Sequence, residues 1–544
     1  MDNSAISIRT HDRRWAILGV LCLSLLVAVI DNTIVNVALP TLSRDLQATT
    51  GQLQWIVDAY TLVFAGLLLT AGTLGDRRGR KGALLIGLGI FAAGSLAASL
   101  TTTADQLILA RAVMGTGAAF VMPATLSILT NVFTDARERA GAIALWAAVS
   151  GLAIALGPVT GGLLLQHFGW GSIFLVNLPF LGIALVAGAI LIPRFAPDAS
   201  HHHIDVAGAV LSIVGLGAIV WGLIEAPTRG WTDPLIVGSF AFGVVVLALF
   251  VRHELRTAEP MLQLRWFANG RFSAASVSIM LLFFALTGFI FGVTQYLQAV
   301  KGYSALAAGI RTLPFAVAVM VWAPLSAKLA ERFGTKLMVS GGLSVFGIGL
   351  LVAATLTTTS GYGLVVVSMV LMGSGMGLAM APATDSVMGA LPAEEAGVGS
   401  AVNDTTRELG ATLGVAVGGS AIASVYSPKI AAALAGQPIP PSAAAIAKHS
   451  IEGALAVAQQ AGPRADALVP LARHAFTQGL RLDSLIAAGV VFLGAAVAAR
   501  WLPARAGQEA PAAGPLVTDA TVDAVGAAPE EAPVAEPAPS LVRS

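Results

Sequence analysis

The sequence predicts an all-α polytopic membrane protein of fourteen transmembrane helices, two six-helix bundles with two helices inserted between them. Three observations lead there: the composition, the apolar stretches and an internal repeat. Of the 544 residues, 56% are hydrophobic and only 11% charged, and the mean hydropathy is +0.80. A soluble domain carries about a quarter charged residues, so this chain has too few to cover a water-facing surface. Lipid is the natural solvent for most of it. A formal net charge of +1 leaves no electrostatic case for nucleic-acid binding. The one cysteine, Cys22, lies in an apolar run, which excludes a disulfide framework and a cysteine metal site.

A bilayer core about 30 Å thick takes about 20 apolar residues at 1.5 Å rise each. A cytoplasmic N-terminus over 1–14 precedes spans over 15–39, 55–75, 82–100, 107–130, 140–166 and 170–192, which form an N-terminal bundle within 15–193. Two inserted spans follow at 206–225 and 235–251, within 206–252. Six more, at 272–297, 308–330, 337–357, 362–388, 398–425 and 480–501, make a C-terminal bundle within 272–502. The first span follows Arg9, Arg13 and Arg14, as a secretory signal would. It is longer than the roughly 7–15 residues of a signal core and Asp31 interrupts it, so it reads as uncleaved.

Lysines and arginines orient the set. Arg77, Arg78, Arg80 and Lys81 share one inter-span loop, and Arg137, Arg139, Arg252, Arg256, Lys328, Arg332 and Lys336 fall in loops of the same parity. By the positive-inside rule both termini are cytoplasmic and the chain resides in the cell inner membrane. The loop 427–479 is then extracytoplasmic, with room for a short amphipathic element. The tail 503–544, rich in Ala, Pro and Glu without periodicity, is expected to be disordered.

The chain resembles itself at an offset of about 257 residues, the separation of Leu156 and Leu413. Leu74-Gly75-Asp76-Arg77-Arg78-Gly79-Arg80-Lys81 aligns with Leu329-Ala330-Glu331-Arg332-Phe333-Gly334-Thr335-Lys336. Met114-Gly115-Thr116-Gly117 aligns with Met372-Gly373-Ser374-Gly375, and Pro123-Ala124-Thr125 with Pro382-Ala383-Thr384. Leu156-Gly157 with Gly161-Gly162 matches Leu413-Gly414 with Gly418-Gly419. Spans 1–6 therefore pair with spans 9–14, and bundles related by an axis along the membrane normal hold a midplane site between them.

These segments resemble the major facilitator superfamily, specifically its fourteen-helix drug:proton antiporter branch, from about Trp15 to Pro503. Gly72-Thr73-Leu74-Gly75-Asp76-Arg77-Arg78-Gly79-Arg80-Lys81 is similar to the superfamily's loop signature between helices 2 and 3. Arg111 within 107–119 resembles the helix-4 signature, and Gly151, Gly157-Pro158 and Gly161-Gly162 the antiporter signature of helix 5. Asp31-Asn32-Thr33-Ile34-Val35-Asn36-Val37-Ala38-Leu39-Pro40 is similar to the helix-1 signature of the fourteen-helix branch. Two places depart: Trp170-Gly171-Ser172 stands where the family often has Trp-Arg-Trp, and Val415 where the first half has Pro158. The resemblance implies a major facilitator fold and proton-coupled export of small hydrophobic or amphipathic, often cationic, drugs by alternating access. It also implies that helix 5 seals against proton leak.

A charge at bilayer depth costs at least about 2.5–3.5 kcal/mol on insertion scales, so each needs a reason. Helix 1 runs outward from Trp15, which puts Asp31 about 24 Å along it. Helices 2 and 4 run inward, which puts Asp58 and Arg111 roughly 6 Å below the outer face. Three charges thus share one level in the first bundle, and Asp31, with Arg111 and Asp58, is the candidate for proton coupling. A static Asp–Arg pair, or an Asp58 wetted at the interface, is the plainer alternative. On helix 13, Asp404, Arg407 and Glu408 share a face beside Asn403, which fits a cytoplasmic gate latch as well as a substrate or proton site. Asp385 joins this C-terminal polar cluster near the inner end of helix 12, where solvation competes as an explanation.

Gly72, Gly75, Asp76, Arg77, Gly79, Arg80 and Lys81 form a candidate gating loop, since the glycines allow close helix approach. Gly151, Gly157, Pro158, Gly161 and Gly162 make a groove-faced, bent helix. His201-His202-His203 reads as a solvated loop, so no metal and no cofactor are expected. Tyr60, Trp55, Phe64, Trp146 and Met122 are available to a drug pocket or to plain packing. No phosphate-cradling Gly-x-x-x-x-Gly-Lys-Ser/Thr occurs, which argues against an ATP-driven pump. No nucleophile–base pair stands out in the spans, so an enzyme is not expected. The expected partners are a small-molecule substrate, protons and the bilayer, with the chain monomeric. Export of an endogenous lipid, siderophore or secondary metabolite uses the same machinery and is the alternative; symport is disfavoured by the helix-5 signature.

Overall fold

The computed structural model describes residues 3–133, 135–193, 205–257, 260–391, 396–435, 440–461 and 467–504. The first half comprises α1 (Asn3–Asp45), α2 (Thr50–Arg78), α3 (Arg80–Ser99), α4 (Ala104–Val132), α5 (Ala136–His167), and a broken sixth helix, α6 (Ser172–Leu175) and α7 (Asn177–Leu191). The inserted pair is α8 (Val206–Arg229) and α9 (Pro234–Glu254). The second half comprises α10 (Gly270–Gln295), which ends in a π turn, α11 (Ala305–Phe333), α12 (Thr335–Ala353), α13 (Tyr362–Met388), α14 (Ala396–Leu434), α15 (Pro441–His449), α16 (Ile451–Ala461) and α17 (Leu468–Trp501). Thirteen stretches among the described residues are long and apolar enough to cross a bilayer. The 32-residue α5 is a further helix of spanning length.

Local chemistry sets many of the boundaries. Thr49 and Gln52 form a reciprocal capping box at the start of α2, and Ser304 caps α11 at the corresponding place in the second half. Gly79 (φ +106°) ends α2 and Gly334 (φ +89°) ends α11, a backbone region open chiefly to glycine. The last helix begins at Leu468, well ahead of the apolar run expected from 480, and its first turns carry Arg473, His474 and Gln478. Hydropathy hides these turns, but Arg473 Nε donates to the Ala299 carbonyl at 3.2 Å and fastens them to the end of α10.

Each half has its own apolar core, and the repeat is physical. Gly115 packs on the Tyr60 carbonyl of α2, and Gly373 on the Phe315 carbonyl of α11. Gly117 meets Phe91 and the Gly87 carbonyl of α3, as Gly375 meets Phe346 and the Gly342 carbonyl of α12. Gly157 lies against Thr33 and the Ile30 carbonyl, as Gly414 lies against Thr287 and the Phe284 carbonyl. A β-carbon at any of these positions would collide with a neighbouring helix, which is how small residues set close packing. Outside these seams large apolar residues point away from the protein: Ile183, Val186 and Ile190 on α7, and Val237, Val244 and Val245 on α9, are all exposed. Such surfaces suit lipid.

The end of the bundle carrying Arg14 and Glu138, paired at 3.0 Å, is here the basic face; α1 ends and α11 begins at the opposite face. The halves meet toward the opposite face. Gly162 on α5 abuts the backbone of Ala305 and Leu306, and Gly309 abuts the Pro158 carbonyl. Gln54 Nε2 donates to the carbonyls of Val415 (3.2 Å) and Ala416 (2.8 Å). Thr412 Oγ1 donates to Thr61 Oγ1 at 2.9 Å, nearer the middle. The inserted α8 leans on both halves: Ile213 fills the space beside Gly66, and the Leu223 carbonyl accepts from Ser420 on α14.

Candidate functional site

Behind the wall of α1, α2 and α4 lies a fully buried polar network. Asp31 and Arg111 both have 0% exposure and form an ion pair through Arg111 Nη1. The other Asp31 oxygen accepts from Asn177 Nδ2 at 2.9 Å. Asn177 also donates to Ser95 Oγ (3.1 Å), which donates to the Phe174 carbonyl at 2.8 Å. Arg111 Nε donates to the Ile56 carbonyl at 3.0 Å, and the guanidinium lies 4.3 Å from the Tyr60 ring centre. Five helices of the first half therefore converge on one charge pair. A buried pair of this kind adds little net stability, but removing one member strands the other at a cost of about 3–5 kcal/mol.

Asp58 does not join the pair. It is fully buried on α2 and neither carboxylate oxygen has a hydrogen-bond partner. The expectation of one shared charge level thus resolves into a paired Asp31–Arg111 and a solitary Asp58. A charged carboxylate held so is strongly penalised by desolvation.

On the other side of Tyr60 is a cavity of about 260 Å³ between the halves, on the basic-face side of their contacts. The first half lines it with Asn32, Thr33, Asn36, Tyr60, Thr61, Phe64 and Met122, the second with Phe283, Ile290, Phe315, Met376, Asp404, Arg407 and Glu408. Arg407 Nη1 is 3.4 Å from Asp404, its Nη2 donates to Thr384 Oγ1 at 3.4 Å, and its guanidinium lies 5.7 Å from the Phe283 ring centre. One Glu408 oxygen is buried without a partner. Asn403 is buried beside this cluster, and exposed Asp385 lines an adjoining crevice that also ends at Arg407. An apolar and aromatic chamber with a few convergent charges is the usual form of a small-molecule site.

The other expected residues sort by place. Pro158, Gly157, Gly161 and Gly162 lie where α5 meets α1 and α11, with Ile34 filling the space at Gly161. Lys81 Nζ donates to the carbonyls of Ala189 and Ile192, both at 2.7 Å, so it binds the end of α7 within its own half. Gly72 packs on Pro123, Gly75 on Ala83, Arg77 is exposed and Arg80 half-buried. Gly151 falls within α5, and the Asp76 side chain and His201–His203 lie outside the described residues. Tyr60, Phe64 and Met122 reach the cavity. Trp55 packs against α8 and Trp146 against the first core instead.

Sequence reasoning missed three groups. Asn177 completes the Asp31 network, and its signal was an amide inside an apolar run. Asp483 on α17 is 3% exposed, one oxygen unpartnered, in a slot lined by Gly288, Gly292 and Gly418. Glu452 on α16 is 3% exposed with neither oxygen partnered. Among the described residues no group of three acidic, histidine or cysteine side chains is placed to hold a metal.

Two pseudo-symmetric helical bundles around a charged, aromatic cavity define a membrane transport protein. The chain belongs to the Major Facilitator Superfamily, whose model matches residues 21–415. It is 38% identical over 499 residues to the multidrug efflux pump LfrA of Mycolicibacterium smegmatis, covering 91% of this chain and 98% of that one. It is 34% identical over 467 residues to the methyl viologen resistance protein SmvA of Salmonella typhimurium, covering 85% and 93%. In fold it is similar to a bacterial homolog of the human lysosomal transporter Spinster in an inward-facing, unoccupied conformation, with a TM-score of 0.61, 17% identity, and coverage of 90% and 99%.

Proposed function

We propose that this chain is a proton-coupled antiporter that exports small hydrophobic or amphipathic, often cationic, drugs across the cytoplasmic membrane by alternating access. The observation that carries the reading is Tyr60: one part of it lines the cavity while its ring lies against Arg111, the partner of Asp31. A molecule that displaces Tyr60 disturbs the charge pair, and a proton on Asp31 loosens Arg111 and hence Tyr60. Drug and proton are thereby linked through one side chain, with opposite signs. Kinship with proteins named for multidrug efflux and for methyl viologen resistance supports the substrate class.

The basic face is assigned to the cytoplasm. The cavity then lies toward the cytoplasm and the contacts of α5 with α11, and of α2 with α14, close the outer side. Asp404 and Glu408 supply negative charge to a cationic drug, while Phe283, Phe315, Phe64 and Met122 supply apolar surface. Export requires the outer contacts to open and the cavity walls to close toward the cytoplasm. One proton entering down 100 mV supplies about 2.3 kcal/mol from the potential alone. This is sufficient for nearly fifty-fold accumulation of a neutral solute.

Efflux of a fluorescent lipophilic cation from energised cells, with and without a protonophore, tests the proposal. Export that collapses with the protonophore is expected, and export that persists without a proton gradient would refute it.

A further inference from the structure

Between α14 and α17, the short helices α15 and α16 form a cap over the opposite face. It is fastened to the second half, where Tyr426 Oη donates to a carbonyl of Ala447 or Ser450, both 3.0 Å away, and Ser427 Oγ donates to the Lys448 carbonyl at 3.0 Å. It also reaches across to the first half. Ser43 Oγ at the end of α1 donates to Ser450 Oγ at 3.0 Å, and Thr50 Oγ1 at the start of α2 donates to the His449 carbonyl at 2.5 Å. Any separation of the halves at this face breaks the second set of contacts and leaves the first intact. Two residues beyond Ser450, Glu452 is buried with both oxygens unpartnered, at the edge of a cavity of about 330 Å³ shared by the halves. Arg44 and Thr41 of α1, Gln166 of α5, and Gln298 and Tyr303 ahead of α11 also line it. A polar chamber of this size admits water, and so protons, from the outer solvent.

We infer that Glu452 is a further proton-binding residue of the transport cycle, the pin of an outer latch that closes with Glu452 protonated and opens as it ionises. The inference rests on the alternating-access reading above. Closure shuts both carboxyl oxygens off from the water of the chamber without giving them a side-chain hydrogen-bond donor, so the closed latch favours the neutral acid. Burial pushes Glu452 from its ordinary value up to about 7, against the pull of its own backbone N–H and of Arg44. Arg44 on α1 and Tyr303 ahead of α11 share its cavity and Tyr426 on α14 feels its charge, while the neighbouring elements carry Lys448 and His449 at the end of α15 and Arg473 and His474 on α17. Arg44 is exposed and bonded to Thr41, and Arg473 to the Ala299 carbonyl, so neither neutralises it by contact. The sign follows: below the open-state value both forms are protonated and the latch is indifferent. As pH rises from the ordinary value to about 7 the open form gains, because only there is the carboxylate hydrated; above about 7 both forms are ionised and the gain is complete.

The test is a distance measurement between spin labels at Thr102→Cys and Thr359→Cys, outer loops of the two halves, in purified full-length protein in lipid nanodiscs with Cys22→Ala. For the native Glu452 we expect the open fraction, relative to closed, to rise on the order of tenfold or more between pH 5 and 8. Glu452→Gln, which keeps the shape and removes the titration, should abolish most of that rise. Arg44→Ala, which removes the charge that favours the ionised form, should move the midpoint to higher pH. A Glu452→Gln protein with the full native pH dependence, or a native protein whose outer distance never responds to pH, overturns the latch. Efflux insensitive to a protonophore, together with pH-dependent opening lost in Glu452→Gln, refutes the antiport reading and leaves the latch standing.

Discussion

The two halves share a backbone plan and differ in where they keep charge. The contacts of Gly157 and Gly414 equate Ile30 with Phe284, so Asp31 corresponds to Ala285. The contacts of Gly115 and Gly373 likewise place Met369 where the first half has Arg111. An ion pair fully sealed inside the first half is thus replaced by an alanine and a methionine in the second. The second half instead sets Asp404, Arg407 and Glu408 on the cavity surface, and its deeply buried Asp483 has no cationic partner like Arg111 among the described residues. A sealed pair whose hydrogen bonds all run to protein, with Arg111 Nη2 left unpartnered, is suited to holding or releasing a proton, because water cannot compete there. Half-exposed charges facing a cavity are suited to a ligand that comes and goes. Under the proposed function, this asymmetry would give coupling to one half and binding to the other.

The largest expected effect comes from breaking the sealed pair. Asp31→Asn preserves the hydrogen bond with Arg111 and the fold, and should reduce active efflux by about a hundredfold or more, the scale of about 3 kcal/mol. Efflux with native pH dependence in that variant would remove Asp31 from coupling. Asn177→Leu strips the second donor from Asp31 without touching its charge, and should shift the pH profile of efflux while membrane insertion remains normal. An unmoved profile would make Asn177 a packing residue only.

Cavity charge should behave differently. Glu408→Gln is expected to raise the apparent KM for a dicationic substrate about tenfold, roughly 1.4 kcal/mol, with little change for a neutral one. Equal losses for both substrates would move Glu408 from binding into coupling and blur the division between halves.

The smallest effect belongs to neither half. Asp205 caps α8 by accepting from Gly208 N–H at 2.7 Å and lies 2.7 Å from His253 Nε2. Burial works against its charge, but these partners hold its carboxyl below the usual range. Its contribution is therefore complete above the ordinary aspartate value and is lost as pH falls through the lowered one. Asp205→Asn should cost about 1 kcal/mol or less in thermal stability near neutral pH, with efflux unchanged. A larger loss would make the inserted pair a structural strut.

Much of this was legible in the chain. A charge in an apolar run announces itself, so Asp31, Asp58 and Arg111 were visible, and the glycine pattern exposed both the repeat and the α5 seam. Asn177 was not visible as a partner, because an amide costs little in a helix and its carboxylate lies on α1, far away in sequence. Glu452 sits in a stretch of ordinary polarity, and only the packing of α16 against α15, α17 and α1 removes it from water. Asp58 looked like a member of the charge pair, since helix depth can be counted along one strand of sequence. Rotation about the helix axis cannot, and rotation left it alone.

Span number, orientation bias, the doubled architecture and the family signatures were determined by the sequence itself, because each depends on residues close together along the chain. Bilayer energetics reads them one helix at a time. Tertiary structure alone decided that Arg111 answers Asp31 and not Asp58, that Tyr60 separates this pair from the cavity, and that the face opposite the basic one is closed. Those outcomes depend on how helices rotate and approach one another, within distances that only packing sets.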